Sequence, residues 1–151
     1  MLFDRSKLMN KIRIVDFGAP FPTRFNVQKF DQWSFESPSS EEAILVTHAD
    51  KSAVDCAIDF WIWSMLADDW HDRTHYFIPY AETALCAPLT ESEFLSIVKQ
   101  RCSRLKQMLP AFMNNSQGFI TALKMFDDWN DVAAIAEYET CYTAFYWNTT
   151  A

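Results

Sequence analysis

Residues 51–67, KSAVDCAIDFWIWSMLA, run Phe60, Trp61, Ile62, Trp63, Met65 and Leu66 almost without a polar interruption. Wound at 3.6 residues per turn, such a run sends apolar side chains in every direction. A helix here must therefore be surrounded by the rest of the chain rather than laid on its surface. With Asp50 as an N-cap, the segment predicts a helix over about 51–67 at the centre of the fold. Asp55 and Asp59 share its one polar stripe with Ser52. The stretch is also too short to cross a bilayer.

The other elements arrange themselves around that helix. KIRIVDF (11–17) alternates as a strand and is broken by GAPFP. RFNVQKFDQWSF fits an aromatic-rich strand pair or a short helix, ESPSSEE an exposed loop, and AILVTH (43–48) a short buried strand. THYFIPY (74–80) reads as a strand ending at Pro79. Thr90 and Glu93 form a capping box ahead of a helix over 91–109, which Pro110 stops. A third helix is predicted over 116–126, and DVAAIAEYETCYTAFYW folds back around Glu139–Thr140 as a closing hairpin. Together these predict one α+β domain over residues 1–151, with about three helices packed on a small, mostly antiparallel sheet and a C-terminal β-hairpin.

Composition then narrows the function. Half of the 151 residues are apolar and 16% are aromatic, which is too much buriable surface for a disordered acidic tail. Only two glycines occur, so Gly-rich phosphate loops have no material to form from. The formal charge of −7 opposes a nucleic-acid-binding surface and suits a basic partner. The four cysteines include no CxxC pair, and Cys56 and Cys102 read as small core hydrophobes. No apolar signal segment opens the chain, so the expectation is a soluble protein in the reducing cytoplasm, away from membranes and without a cofactor.

One five-residue phrase occurs twice, as DDWHD at 68–72 and DDWND at 127–131. Its plain reading is structural, because Asp and Asn satisfy backbone groups at turns and a Trp can close the end of a core. Acidic residues after a helix C-terminus, however, oppose the macrodipole at about 0.3–1 kcal/mol each. The unfavourable placement is predicted for both copies. The surrounding charge is one-sided as well. From Ser52 to Val98 the only basic residue is Arg73, and from Gln107 to the C-terminus the only one is Lys124. The candidate partner-binding surface is therefore acidic and aromatic: Asp68, Asp69, Trp70, Asp72, Asp127, Asp128, Trp129, Asp131, Glu137 and Glu139.

Catalytic readings are thinner. HDRTH (71–75) is a near-relative of the HExxH zinc-hydrolase phrase, with His48 as a conceivable third ligand. That phrase needs a helix, and the β-like THYFIPY removes the geometry. Asp69 with Asp72, or Asp55 with Asp59, offer paired carboxylates, and Cys86 with His75 a nucleophile and base, but no wider signature surrounds any of them. No metal site is assigned.

The two DDW phrases, the acidic aromatic body and the closing AEYETCYTAFYWNTTA resemble the immunity proteins of bacterial toxin–immunity systems, including those of contact-dependent inhibition and type VI secretion. The resemblance is to a class of many folds, so no site is carried over from it. It implies a protein that binds and blocks a cognate toxin domain, often a basic nuclease, in the cytoplasm of the producing cell. Two other readings stand beside it. One is a phage-encoded inhibitor, such as an anti-CRISPR or a DNA mimic; the other is a small metal-dependent hydrolase using His71 and His75.

Overall fold

β5 (Asp131–Tyr138) and β6 (Cys141–Asn148) are buried along nearly their whole length, on both faces. A half-buried strand alternates apolar and polar residues; these two do not, so a layer must cover each side of the sheet. The computed structural model describes residues 2–37, 41–70, 72–110, 113 and 117–150. Within them six strands form one antiparallel sheet in the order β1-β2-β6-β5-β4-β3. The outer strands are β1 (Asn26–Phe30), β2 (Ala43–Asp50), β3 (Ala87–Leu89) and β4 (Phe119–Asp127). β5 and β6 form the expected hairpin.

Helix α2 (Ala57–Leu66) covers one face with Phe60, Trp61, Ile62, Met65 and Leu66 fully interior. Its neighbours there include α1 (Arg5–Ile12), Leu45, Leu123, Ile135 and Ala144. Phe60 stacks near Tyr142 at 5.4 Å and Trp61 lies 6.3 Å from Phe126. α4 (Glu91–Arg101) covers the other face, setting Phe94 and Val98 among Phe30, Val46, Ala134 and Phe145. Its N-terminus carries the complete Thr90–Glu93 capping box.

The α+β class is as expected, but the α-helical elements bounded within the described residues number four and several come from other segments. α2 starts later than predicted, at Ala57 with Cys56 as N-cap, because residues 51–53 form a separate 3₁₀ turn after Asp50. Asp55 and Ser52 consequently lie outside the helix, while Asp59 pairs with Lys11 at 3.5 Å. Residues 11–17 are not a strand: α1 occupies Arg5–Ile12, capped by the Asp4 side chain and burying Leu8 and Ile12 one turn apart. THYFIPY is not a strand either. Arg73–Phe77 is a π-helical turn that runs into α3 (Ile78–Ala81), whose Pro79 sits in the first turn where no N–H is needed. Of the predicted helix over 116–126, Phe119–Phe126 lie in strand β4 and Gln117 and Gly118 lead into it. Two register shifts in β4, between Phe119 and Thr121 and between Lys124 and Phe126, explain the misreading. Each bulge adds a residue, so Phe119, Ala122, Leu123 and Phe126 fall at helical spacing along a strand. The middle of the expected ESPSSEE loop and the start of the expected third helix lie outside the described residues.

α4 also ends early, at Arg101, because the following residues leave the helix to pair with 34–36. The amide of Glu36 donates to the Arg104 carbonyl and that of Lys106 to the Ser34 carbonyl. A buried carboxylate fastens this segment. Glu42, 2% exposed, accepts from Trp147 Nε1 at 2.8 Å and forms an ion pair with Arg104. The Arg101 guanidinium lies 4.2 Å from the Trp147 ring centroid. Glu42→Ala leaves the Trp147 indole N–H buried without its acceptor and should cost about 1–3 kcal/mol, read as a lowered urea midpoint. An unchanged midpoint would show that the carboxylate does not fasten this segment.

Candidate functional site

The first DDW phrase closes α2. The Asp68 amide donates to the Met65 carbonyl at 3.1 Å, and Trp70 folds back so that its Nε1 donates to that same carbonyl at 2.9 Å. The indole thereby adds a side-chain donor to a helix C-terminal acceptor that the Asp68 amide also caps. Its ring packs edge-on to Phe77 at 5.1 Å and beside Tyr80 at 5.3 Å. Trp70 is therefore half-buried structure rather than a free aromatic anchor. Asp72 is exposed and caps the π-helical turn, its Oδ1 accepting from the His75 amide at 2.8 Å. Asp68 is half-buried and Asp69 exposed, both just beyond the helix end. The opposition to the macrodipole is present here.

The second phrase follows a strand, so no macrodipole acts on it and the sequence expectation fails for this copy. β4 ends at Asp127, which accepts from Lys124 Nζ at 3.0 Å. The turn is closed by the Asp128 amide donating to the Asp131 carbonyl at 2.8 Å. Asp127 and Asp128 are exposed, and Trp129 stands out at 74% exposure. Asp131 instead points inward, at 8% exposure, and takes a hydrogen bond from the Tyr80 hydroxyl at 2.5 Å. Burial pushes the Asp131 carboxyl above its ordinary pKa, the Tyr80 hydrogen bond partly offsets this, and nearby Asp128 adds to it. Burial likewise pushes the Tyr80 and Tyr146 hydroxyls well above the usual tyrosine range.

These contacts bring the two phrases together. Asp68, Asp69 and Trp70 form one wall of a cleft of about 290 Å³, and Asn130, Asp131, Tyr146 and residues 148–150 form the other. The Thr149 amide donates to the Asn130 carbonyl at 3.0 Å and holds the end of the chain along the rim. Tyr80 links both sides, since its ring touches Trp70 and its hydroxyl meets Asp131.

Two candidate residues lie elsewhere. Glu137 is at the far end of β5, about 20 Å from Asp131 at 3.3 Å per residue, where it pairs with Lys51 at 2.6 Å. Glu139 belongs to the β5–β6 turn beside Gly118, whose φ of +73° and closeness to the Glu139 side chain leave no room for a Cβ. Sequence reading passed over Tyr80 and Tyr146. Tyr80 was hidden because its segment looked like a strand, although Phe77 and Tyr80 stand three apart as on one helical face.

The catalytic readings gain little geometry. Among the described residues, no group of three or more His, Cys, Asp or Glu is placed to hold a metal ion. His71 lies outside those residues, and the reason for setting HDRTH aside changes, since Arg73–Phe77 is helical rather than β-like. Cys86 is buried and its thiol is pushed up to about 11, which keeps it from being a thiolate at neutral pH. No described helix is long and apolar enough to cross a membrane. No protein-family model matches the chain, and no curated protein or solved structure is significantly similar to it.

Because its folded pKa is raised, Asp131 contributes stability that is fully present below its unfolded pKa and is lost as pH rises through the folded value. Asp131→Asn keeps an acceptor for Tyr80 and removes the buried charge. Its stability relative to the native protein should therefore rise as pH climbs from below the ordinary Asp value, 3.8, to neutrality. Asp131→Ala removes the carboxylate that accepts from the Tyr80 hydroxyl and should cost about 1–3 kcal/mol at low pH, with the cost shrinking as pH rises through the folded value. Thermal melts of both variants across that range check the pair, and a pH-independent difference for Asp131→Asn would contradict it.

Proposed function

We propose that this protein is a cytoplasmic immunity protein that binds and neutralises a basic cognate toxin domain through its acidic, aromatic end. The observation that supports the reading most is the meeting of the two DDW phrases across one cleft, since a joint surface requires it. Asp68 and Asp69 line that cleft, and Asp127, Asp128 and the protruding Trp129 belong to the turn that leads into its other wall at Asn130 and Asp131. In this reading Asp127, Asp128 and Trp129 meet the partner, with Asp68 and Asp69 beside them. Trp70 and Asp131 hold the two turns in register. Glu137 and Glu139 take no part.

Carboxylates ringing an exposed aromatic suit a binding hot spot and accelerate encounter with a basic partner. The same composition serves a phage-encoded inhibitor. A DNA mimic would spread its carboxylates at regular spacing along an elongated surface, whereas the two DDW turns meet across one cleft, and this favours a protein partner. For a hydrolase built on His71 and His75, His71 lies outside the described residues, and among those residues no group of three or more His, Cys, Asp or Glu is placed to hold a metal ion.

The test is co-expression with the C-terminal domain of the polypeptide encoded next to this chain, scoring growth rescue and co-purification together. Rescue with a stable complex is the expected result; an inert neighbour and no complex would contradict the reading. With the partner in hand, joint reversal of Asp68, Asp69, Asp127 and Asp128 to Lys should weaken binding by about a hundredfold or more at moderate salt. Stability should change little, because exposed ion pairs such as Lys124–Asp127 contribute on the order of 0–1 kcal/mol. Undiminished binding would remove the acidic end from the interface.

A further inference from the structure

In a chain of net charge −7, the segment from Phe94 to Phe126 holds Lys99, Arg101, Arg104, Lys106 and Lys124 and no aspartate or glutamate. Where this segment leaves α4 it borders a hollow of about 530 Å³. One wall is a stripe of α4 and its C-cap, where Leu95, Lys99 and Cys102 follow one another about a turn apart. Leu105, Met108 and Leu109 form the opposite wall. That wall is held to the sheet side, because the Lys106 amide donates to the Ser34 carbonyl and Leu105 bridges to Phe35. Val98 and Met113, each 5% exposed, line its inner side.

Small-molecule sites are concave and mostly apolar, about 300–1,000 Å³ in volume, with a few polar groups that fix the ligand's orientation. This hollow has that character. Among the described residues that line it, Lys99 is the only charged one. The nearby guanidinium groups are engaged elsewhere, Arg101 over the Trp147 ring at 4.2 Å and Arg104 with Glu42. Lys99 is exposed and, among the described residues, belongs to no ion pair. Lys99 and Ser103 also border a second, polar hollow together with Ser96 and Gln100. An ammonium group thus stands where an apolar hollow meets a polar one. Burial pushes the Cys102 thiol up to about 12, so this wall carries no negative charge to repel an anion. Leu95 and Met108 are 41% and 86% exposed, apolar surface that a bound chain would take out of water.

We propose that this hollow binds a linear aliphatic carboxylate, its chain between α4 and residues 105–109 and its head group on Lys99. The lysine and the absence of acidic residues from Phe94 to Phe126 select an anion over an amine. The leucine and methionine walls suit a run of CH₂ groups and offer a peptide backbone no hydrogen-bond partner. The site is independent of the toxin reading, since none of its residues belongs to the proposed toxin-binding surface.

Titration calorimetry of the purified full chain with sodium octanoate, decanoate and dodecanoate, each below its micelle-forming concentration, tests this. Binding should be one-to-one and should tighten by about fifteenfold for each two CH₂ groups added. Lys99→Glu should weaken decanoate binding by about tenfold or more and leave that of decan-1-ol unchanged. Leu95→Trp takes up the mouth of the hollow and should abolish decanoate binding, while native urea midpoints show both variants folded. Vesicles of equal parts phosphatidylcholine and phosphatidylglycerol should leave the protein in the supernatant. No binding of dodecanoate to the native chain would overturn the proposal. So would equal weakening of decanoate and decan-1-ol by Lys99→Glu, decanoate binding indifferent to Leu95→Trp, or sedimentation with the vesicles in place of binding to the free acids.

Discussion

Burial of β5 and β6 on both faces is the constraint from which the rest of the molecule follows. A strand covered on one side keeps a polar row for solvent, but Val132 to Ala136 and Cys141 to Trp147 keep none. Two layers are therefore required, and the chain supplies them from opposite sides. The all-apolar α2 fits this place because its Phe60, Trp61 and Met65 need neighbours on every side. The small side chains of Ala133, Ala134 and Ala136 leave space for bulky groups from each layer. α4 and the segment after it complete the second layer, fastened to the sheet by Glu42 and Trp147.

The same constraint brings the repeated phrase together. α2 lies across one face of the sheet and ends where β5 begins, so the first phrase, after α2, arrives beside the second, before β5. The two copies share letters but not roles. In the first, the tryptophan is a fastening that donates to a helix carbonyl; in the second it stands in solvent. The first aspartates sit against a helix dipole, whereas the last aspartate of the second phrase goes inside to meet Tyr80. A common sequence thus gives half-buried scaffolding and exposed charge at one end of the sheet, and the proposed toxin-binding surface draws on both.

Much of this was legible in the chain. The central helix, the Thr90–Glu93 cap, the strand at 43–48 and the closing hairpin all follow from local patterns strong enough to survive tertiary context. The failures have identifiable causes. Two bulges gave β4 a helical spacing, and the aromatic run at 74–80 imitated a strand although Asp72 was available to cap a helical turn. Asp4, with Leu8 and Ile12 behind it, signalled α1, but the alternation of KIRIVDF drew the reading elsewhere. At the candidate site, the crowding of charge was visible from composition. The inward turn of Asp131 was not, because its partner Tyr80 is distant in sequence and no local pattern links them. Glu137 and Glu139 were grouped with the site by charge alone, and only the length of β5 separates them from it.

The meeting of the two phrases is the claim on which the site depends, and a paramagnetic label tests it most directly. A nitroxide at Asn130→Cys, in a chain with half-buried Cys56 and Cys102 replaced by serine, can be read against the backbone amides. The account expects the amide signals of Asp68, Asp69 and Trp70 to be broadened strongly and that of Glu139 to be spared. Equal attenuation at both ends, or sharp signals from Asp68 to Trp70, would contradict it.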